Sequence, residues 1–153
     1  VRETEKGYWG VSVSDELFDI FNRIRLDEYN HFIDLGSGDG KAVMIASLFT
    51  KATGIEHDGW LVEVSEDIKS KLLHVPHTNN ASFLRKDFMD HDLSEHDVLF
   101  INPDKKDNKI QRKILDEFSG KLIVYGPMNE FDMLKDPSQE IRFEGTPVKI
   151  FDL

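Results

Sequence analysis

The sequence predicts an α/β three-layer sandwich around a mostly parallel sheet. Three observations carry that prediction. Short apolar runs alternate with stretches of helical period from Phe32 to Tyr125, the order that produces strand-helix units. Several of those runs are apolar without alternation, as strands covered on both faces are. The tail from Ile141 to Ile150 instead alternates apolar with polar residues, which marks a closing antiparallel hairpin.

Each element follows from local pattern. Leu17, Ile20, Phe21 and Ile24 share one helical face, and Ser12 with Asp15 has capping-box spacing, so a first helix is expected over 14–25. The run 32–35, stopped by glycines, reads as a strand. Residues 41–50 are apolar nearly all round, with Val43, Met44, Ile45 and Phe49, as suits a helix pressed on a sheet. A second strand covers 52–56. Leu61, Val64, Ile68 and Leu72 then recur at spacings of three, four and four and mark the next helix. After turn residues between Pro76 and Asn80, residues 81–87 read as a third strand. The run 98–101, ended by Asn102-Pro103, suits a central strand. Ile110, Ile114 and Phe118 mark another helix, residues 121–125 another strand ended by Gly126-Pro127, and a short helix is expected near 129–135. The final hairpin pairs Ile141 and Phe143 with Val148 and Ile150 across Gly145-Thr146-Pro147. No repeat or linker interrupts the pattern. One domain over 1–153 is expected, with residues 1–13 as an arm.

Composition narrows the function classes. The 153 residues hold 29 acidic and 19 basic side chains, a net charge of −10, which opposes broad phosphate binding. The absence of cysteine excludes disulfides, thiolate metal sites and a cysteine nucleophile. No apolar run approaches the ~18–20 residues of a membrane span, and Val1–Gly10 lacks a signal-peptide core, so a cytoplasmic protein is expected.

The first strand-to-helix turn reads Asp34-Leu35-Gly36-Ser37-Gly38-Asp39-Gly40. Glycines there let a ligand approach the backbone where a Cβ would collide. A phosphate-cradling P-loop would need glycine where Leu35 stands and Ser or Thr where Ala42 stands. The dinucleotide fingerprint G-x-G-x-x-G is weakened, because the third glycine comes one residue early and Lys41 occupies its place. Twenty residues after Gly36, Glu56 ends the second strand, where a carboxylate can accept from both hydroxyls of a ribose. Asp87 with Phe88 combines a polar anchor for an adenine amine with an apolar ring face. Asn102-Pro103 places an amide and exposed carbonyls over the same mouth.

These residues resemble class I S-adenosylmethionine-dependent methyltransferases over nearly the whole chain. The resemblance implies a Rossmann-like, seven-stranded sheet of order 3-2-1-4-5-7-6, its last strand antiparallel. It implies S-adenosyl-L-methionine as cofactor, held by Asp34, Gly36, Ser37, Gly38, Gly40, Glu56, His57, Asp87, Phe88 and Asn102. Asn102 and Pro103 fall where that class orients the methyl acceptor, and no metal is expected. Within the class, Gly54-Ile55-Glu56 through Trp60-Leu61-Val62, Phe83 to Asp87 and Asp92-Leu93-Ser94 resemble small protein-lysine methyltransferases, including the ATP-synthase c-subunit enzyme and compact archaeal relatives. The implied reaction is N-methylation of an amine such as a protein lysine. Three alternatives stay open: an RNA or base amino-methyltransferase, a cofactor-binding domain without chemistry, and a nicotinamide-dependent oxidoreductase. Against the first, Asp104 and Lys105 stand where Asn-Pro-Pro-aromatic enzymes carry a second proline and a stacking ring.

Three further groups bear on the acceptor. Lys105, Lys106, Lys109, Arg112 and Lys113 could attract RNA or an acidic protein, although Lys109 and Lys113 also fit the wet face opposite Ile110 and Ile114. Tyr8 and Trp9 could form an aromatic lid. The six histidines lack zinc-enzyme spacing and are expected at the surface or as caps.

Overall fold

A computed structural model describes residues 12–153 in full and residues 2–4 and 7–9 by backbone. Those two N-terminal stretches, β1 (Arg2–Thr4) and β2 (Gly7–Trp9), pair antiparallel as a hairpin within the arm. The side chains of Tyr8 and Trp9, and so the expected lid, lie outside the described residues.

The main chain path is α1 (Ser14–Arg23), β3 (His31–Leu35), α2 (Lys41–Ala46), β4 (Lys51–Glu56), α3 (Gly59–Lys71), β5 (Ala81–Arg85), β6 (Val98–Ile101), α4 (Asn108–Glu117), β7 (Lys121–Tyr125), β8 (Gln139–Phe143) and β9 (Thr146–Asp152). Strands β3 to β9 form one sheet in the order β5-β4-β3-β6-β7-β9-β8, parallel except for β9, which runs against both of its neighbours. Counting only these seven, the order is 3-2-1-4-5-7-6, as the resemblance implies.

Alternation of side chains splits the core into two layers. On one face Phe32, Phe100, Ile123 and Tyr125 pack under α1 and α2, where Phe21 meets Phe32 edge-on at 5.3 Å between ring centres. On the other, Ile33, Leu99, Ile101, Leu122 and Val124 pack under Ile114 and Phe118 of α4 and its end, and under Leu93. β6 is buried at all four positions, which explains its unbroken apolar run.

Several local expectations need correction. Ser12 does not cap α1: the N-cap is Val13, with no side-chain bond, and the Ser12 carbonyl instead accepts from Lys41 Nζ at 3.0 Å. The helix ends at Arg23, because Arg25 takes a left-handed conformation (φ 56°). α2 stops at Ala46, where Leu48 and Phe49 close onto carbonyls three residues back, the tighter bonding common at helix ends. β5 stops at Arg85. No helix forms over 129–135; Gly126-Pro127 breaks the chain, and Gln111 Oε1 captures Met133 N–H at 3.0 Å, leaving one turn at 131–134. The final hairpin turns at Glu144-Gly145, and Thr146 and Pro147 belong to β9.

The histidines also differ from expectation. His96 is buried, its ring 4.1 Å from that of His31, and its Nε2 lies 3.0 Å from His91 Nε2. His91 and His96 belong to the segment between β5 and β6, which carries only a short 3₁₀ turn at Phe88–Asp90. Among the described residues no group of three or more His, Asp or Glu could hold a metal ion, and no helix is long and apolar enough to cross a membrane.

Candidate active site

β3 pairs with β4 on one side and β6 on the other, so the sheet reverses its winding between β3 and β6. Beyond the carboxyl ends of such strands a crevice forms. Here it is a cavity of about 290 Å³.

The glycine turn forms one wall. Gly36 and Ser37 both donate to the Ile55 carbonyl, at 2.9 and 3.0 Å, which folds the loop across the end of β4. A Cβ at Gly36 would meet nothing within 4 Å, so that face of the loop stays open to the cavity. Gly40 is different. It has φ +81° and is buried, and a Cβ there would lie 2.6 Å from the Phe83 ring and 2.9 Å from Ser65 Oγ. Gly54 leaves room for Ser37, whose hydroxyl is buried against it without a hydrogen-bond partner.

Glu56 is tied to this loop. Its Oε2 accepts from Gly38 N–H at 2.9 Å and its Oε1 from Asp58 N–H at 2.8 Å. Asp58 caps α3 by accepting from Trp60 and Leu61. One turn later, Ser65 Oγ hydrogen-bonds the Gly38 carbonyl at 3.1 Å and the Leu61 carbonyl at 3.0 Å. The first turns of α3 therefore close a ring around the Glu56 carboxylate.

Phe88, Met89 and Asp87, which follow β5, also line the cavity, and Asp87 Oδ1 accepts from Met89 N–H at 3.0 Å. Asn102 and Pro103, half-buried at the end of β6, line it too, as do Asp104, Lys105, Asp107 and Lys109, which follow them. The fold thus brings Asp34, Gly36, Ser37, Glu56, His57, Asp87, Phe88, Asn102 and Pro103 to one cavity. Gly38 and Gly40 do not line it: the first faces Glu56 and the second packs beneath α3. Of the basic cluster, only Lys105 and Lys109 reach the cavity. Lys106 pairs with Asp132, and Lys113 pairs with Glu117 at 2.6 Å. Ser65 was missed by sequence reasoning. Its signal was a lone hydroxyl on an otherwise apolar helical stripe, four residues after Leu61.

Charge decides what such a cavity accepts. Asp34 is 3% exposed, and its carboxyl is held well above the ordinary range by burial first and then by Glu56 and Asp39. Lys41 lines the same space, but its ammonium is engaged with the Ser12 carbonyl. A cationic ligand fits this set of carboxylates, and S-adenosylmethionine, with its sulfonium and ammonium groups, is one.

The family model for histone methylation protein DOT1 matches residues 4–122. The chain belongs to the DOT1 family. No curated protein matches it significantly. Among solved structures it is similar to an RNA methyltransferase from Salinibacter ruber in complex with S-adenosyl-L-homocysteine, at 17% identity and TM-score 0.68, covering 99% of this chain and 93% of that one. A putative methyltransferase, YhhF, from Escherichia coli is similar at 16% identity and TM-score 0.69, covering 95% and 87%. An S-adenosylmethionine-dependent O-methyltransferase from Thermotoga maritima is similar at 16% and TM-score 0.64, covering 82% and 49%. At such identities these likenesses establish the fold. Membership of the DOT1 family makes the chain an S-adenosylmethionine-dependent methyltransferase that acts on a methyl acceptor.

Proposed function

We propose that this chain methylates the side-chain amine of a protein lysine. The observation that carries the reading is the single cavity in which an acid-rich cofactor end, at Gly36, Glu56 and Asp87, meets the polar strand end at Asn102-Pro103. When bound, S-adenosylmethionine supplies an already activated methyl group. What remains for the protein is to hold a nucleophile in line, an effect of proximity and orientation.

In this reading Gly36 and the Ser37 backbone take the methionine end, while Gly38 and Gly40 shape the loop. Each oxygen of Glu56 keeps a lone pair beyond the one facing Gly38 or Asp58, so the carboxylate can still accept from ribose hydroxyls. His57 adjoins it. Asp87 accepts from the adenine amine and Phe88 offers its ring face. Asn102 also borders the cofactor, and its amide together with the Pro103 carbonyl orients the acceptor. No residue is an obligatory base; the ammonium loses its proton to water. Residues 1–153 act as one domain, and Ser12, whose carbonyl Lys41 holds, lines the mouth.

Support for a protein amine over RNA comes from charge. The net charge is −10, two of the five basic residues after Pro103 are neutralised by Asp132 and Glu117, and Asp104 and Asp107 share the rim with Lys105 and Lys109. The DOT1 family is described by histone methylation. The test incubates the protein with methyl-labelled cofactor and either mixed core histones or total RNA. Label on lysine, lost in Asn102→Ala by a much larger factor than any loss of cofactor affinity, supports the reading. Label in RNA alone moves the acceptor to nucleic acid. Cofactor binding with no label in either fraction assigns a binding role without transfer, and stabilisation by NADH but not by S-adenosylmethionine would overturn the cofactor itself.

A further inference from the structure

Resting on that reading of Asn102, we infer that Gly126 is a positioning residue: its bare Cα sets how far the Asn102 amide projects toward the acceptor. The two residues end adjacent parallel strands, since Ile101 of β6 is in register with Val124 of β7. A Cβ built on Gly126 would lie 2.7 Å from Asn102 Oδ1 and 3.7 Å from its Cγ, so the amide rests where any other residue would carry a side chain.

The backbone at Gly126 cannot retreat to make room. Its N–H donates to the Pro147 carbonyl of β9 at 2.9 Å, and the residue is buried with φ +98°, a conformation that L side chains rarely adopt. The preceding Tyr125 is anchored as well. Its hydroxyl accepts from Val13 N–H at 3.1 Å and donates to Glu16 at the start of α1. With β7 held from β9 on one side and α1 on the other, an added methyl group is accommodated by rotation of the side chain it meets. That side chain is Asn102, and the space open to it is the cavity that Asn102 lines. The glycine turn and Glu56 lie at the ends of β3 and β4, away from the β6–β7 corner that holds Gly126, so the larger effect falls on the acceptor half.

The experiment compares Gly126→Ala, Asn102→Ala and the double variant for cofactor affinity, for kcat with the histone or RNA acceptor that takes label, and by crystallography. Gly126→Ala is expected to lower kcat by at least ~10-fold while the cofactor Kd stays within about 2-fold, because a displacement near 1 Å can cost as much as ~100-fold in rate. In the Asn102→Ala background the same change should cost less than about 2-fold, since the group it displaces is gone. Its crystal structure should show the Asn102 amide rotated into the cavity with the 126 backbone unmoved, a readout that needs no acceptor. Should Gly126→Ala fail to fold, Asn102→Gln presses a longer amide on the same Cα and should lower kcat by a larger factor than it weakens cofactor binding. Fully additive losses, an unmoved amide in the crystal, or Asn102→Gln at the parent rate would overturn the inference. A parent rate in Asn102→Ala itself would instead overturn the role given to Asn102.

Discussion

Lowering the pH should destabilise this protein through one buried imidazole, and the size of the effect follows from the packing around His96. The ring is 6% exposed, and its Nδ1 has no hydrogen-bond partner. It is faced by His31 of β3, Lys51 of β4, and His91 and Asp92 of its own connecting segment. Burial first, then the His31, His91 and Lys51 charges, bring its pKa from 6.5 to about 4, and Asp92 opposes them. Because the folded value lies below the unfolded one, the neutral ring's contribution is complete above pH ~6.5 and is lost as the pH falls toward 4. Between pH 7.5 and 5.0 the linkage relation gives a loss of about 2 kcal/mol for that shift. The ring borders an open surface groove lined by His31, Lys51, His91 and Glu95, and solvent screening there reduces this to about 1 kcal/mol. That corresponds to roughly 2–4 °C in Tm for a chain of this size. His31 and His91 are also shifted down, mainly by burial, and add in the same direction. The assay is urea unfolding at pH 7.5 and 5.0 for the parent and for His96→Phe, which keeps a flat ring but cannot titrate. The parent should lose about 1 kcal/mol more than the variant over that interval. Equal losses would show that the ring is hydrated or charged in the folded state, and the reasoning from burial would fail.

Two further substitutions probe the cofactor half. Ser65→Ala removes the hydroxyl that braces the Gly38 carbonyl and through it Glu56; cofactor Kd by isothermal titration should weaken roughly 3- to 10-fold, the equivalent of a net hydrogen bond of about 1 kcal/mol, with kcat unchanged. Gly40→Ala must adopt φ +81° and press a methyl into Phe83 and Ser65, so thermal denaturation should register a loss of about 2–4 kcal/mol from the left-handed conformation and overpacking together.

Much of this architecture was legible because the physics that forms it is local. The apolar run Val98–Ile101 names its own strand and its central place, since an unbroken run is tolerated only where both faces are covered. Gly36 and Glu56 were legible as partners in one site because a strand-turn-helix-strand unit returns each strand end to the same edge of the sheet. What escaped depended on distant residues. The missing helix at 129–135 is decided by Gln111, on α4, taking an N–H that a helix would have used. The α1 cap failed because Lys41, from the next helix, holds the Ser12 carbonyl. His96 looked like a surface or capping residue since its acidic sequence neighbours Asp90, Asp92 and Asp97 gave no hint of His31, which arrives from β3. Gly126 carried no signal for Asn102, because the pairing of β6 with β7 exists only in the folded sheet.

The electrostatics of the cavity also distinguish among cofactors that share this fold. Asp34, Asp39 and Glu56 stand close enough that the latter two raise the Asp34 pKa, an unfavourable arrangement held by the paired ends of β3 and β4 for Asp34 and Glu56 and by the glycine turn for Asp39. At an effective dielectric near 20, a unit charge about 4 Å from one carboxylate feels roughly 4 kcal/mol. For a dinucleotide pyrophosphate that interaction is repulsive, and one such contact amounts to a several-hundred-fold penalty or more. For a sulfonium or an α-ammonium the same contact is attractive, and it relieves the repulsion among the three acids. The Lys41 ammonium, one of the cations lining the cavity, is engaged by the Ser12 carbonyl. The early third glycine is consistent with that field: Gly40 serves packing against Phe83, and the loop's open backbone at Gly36 faces a cavity whose charge favours a positively charged cofactor over a doubly negative one.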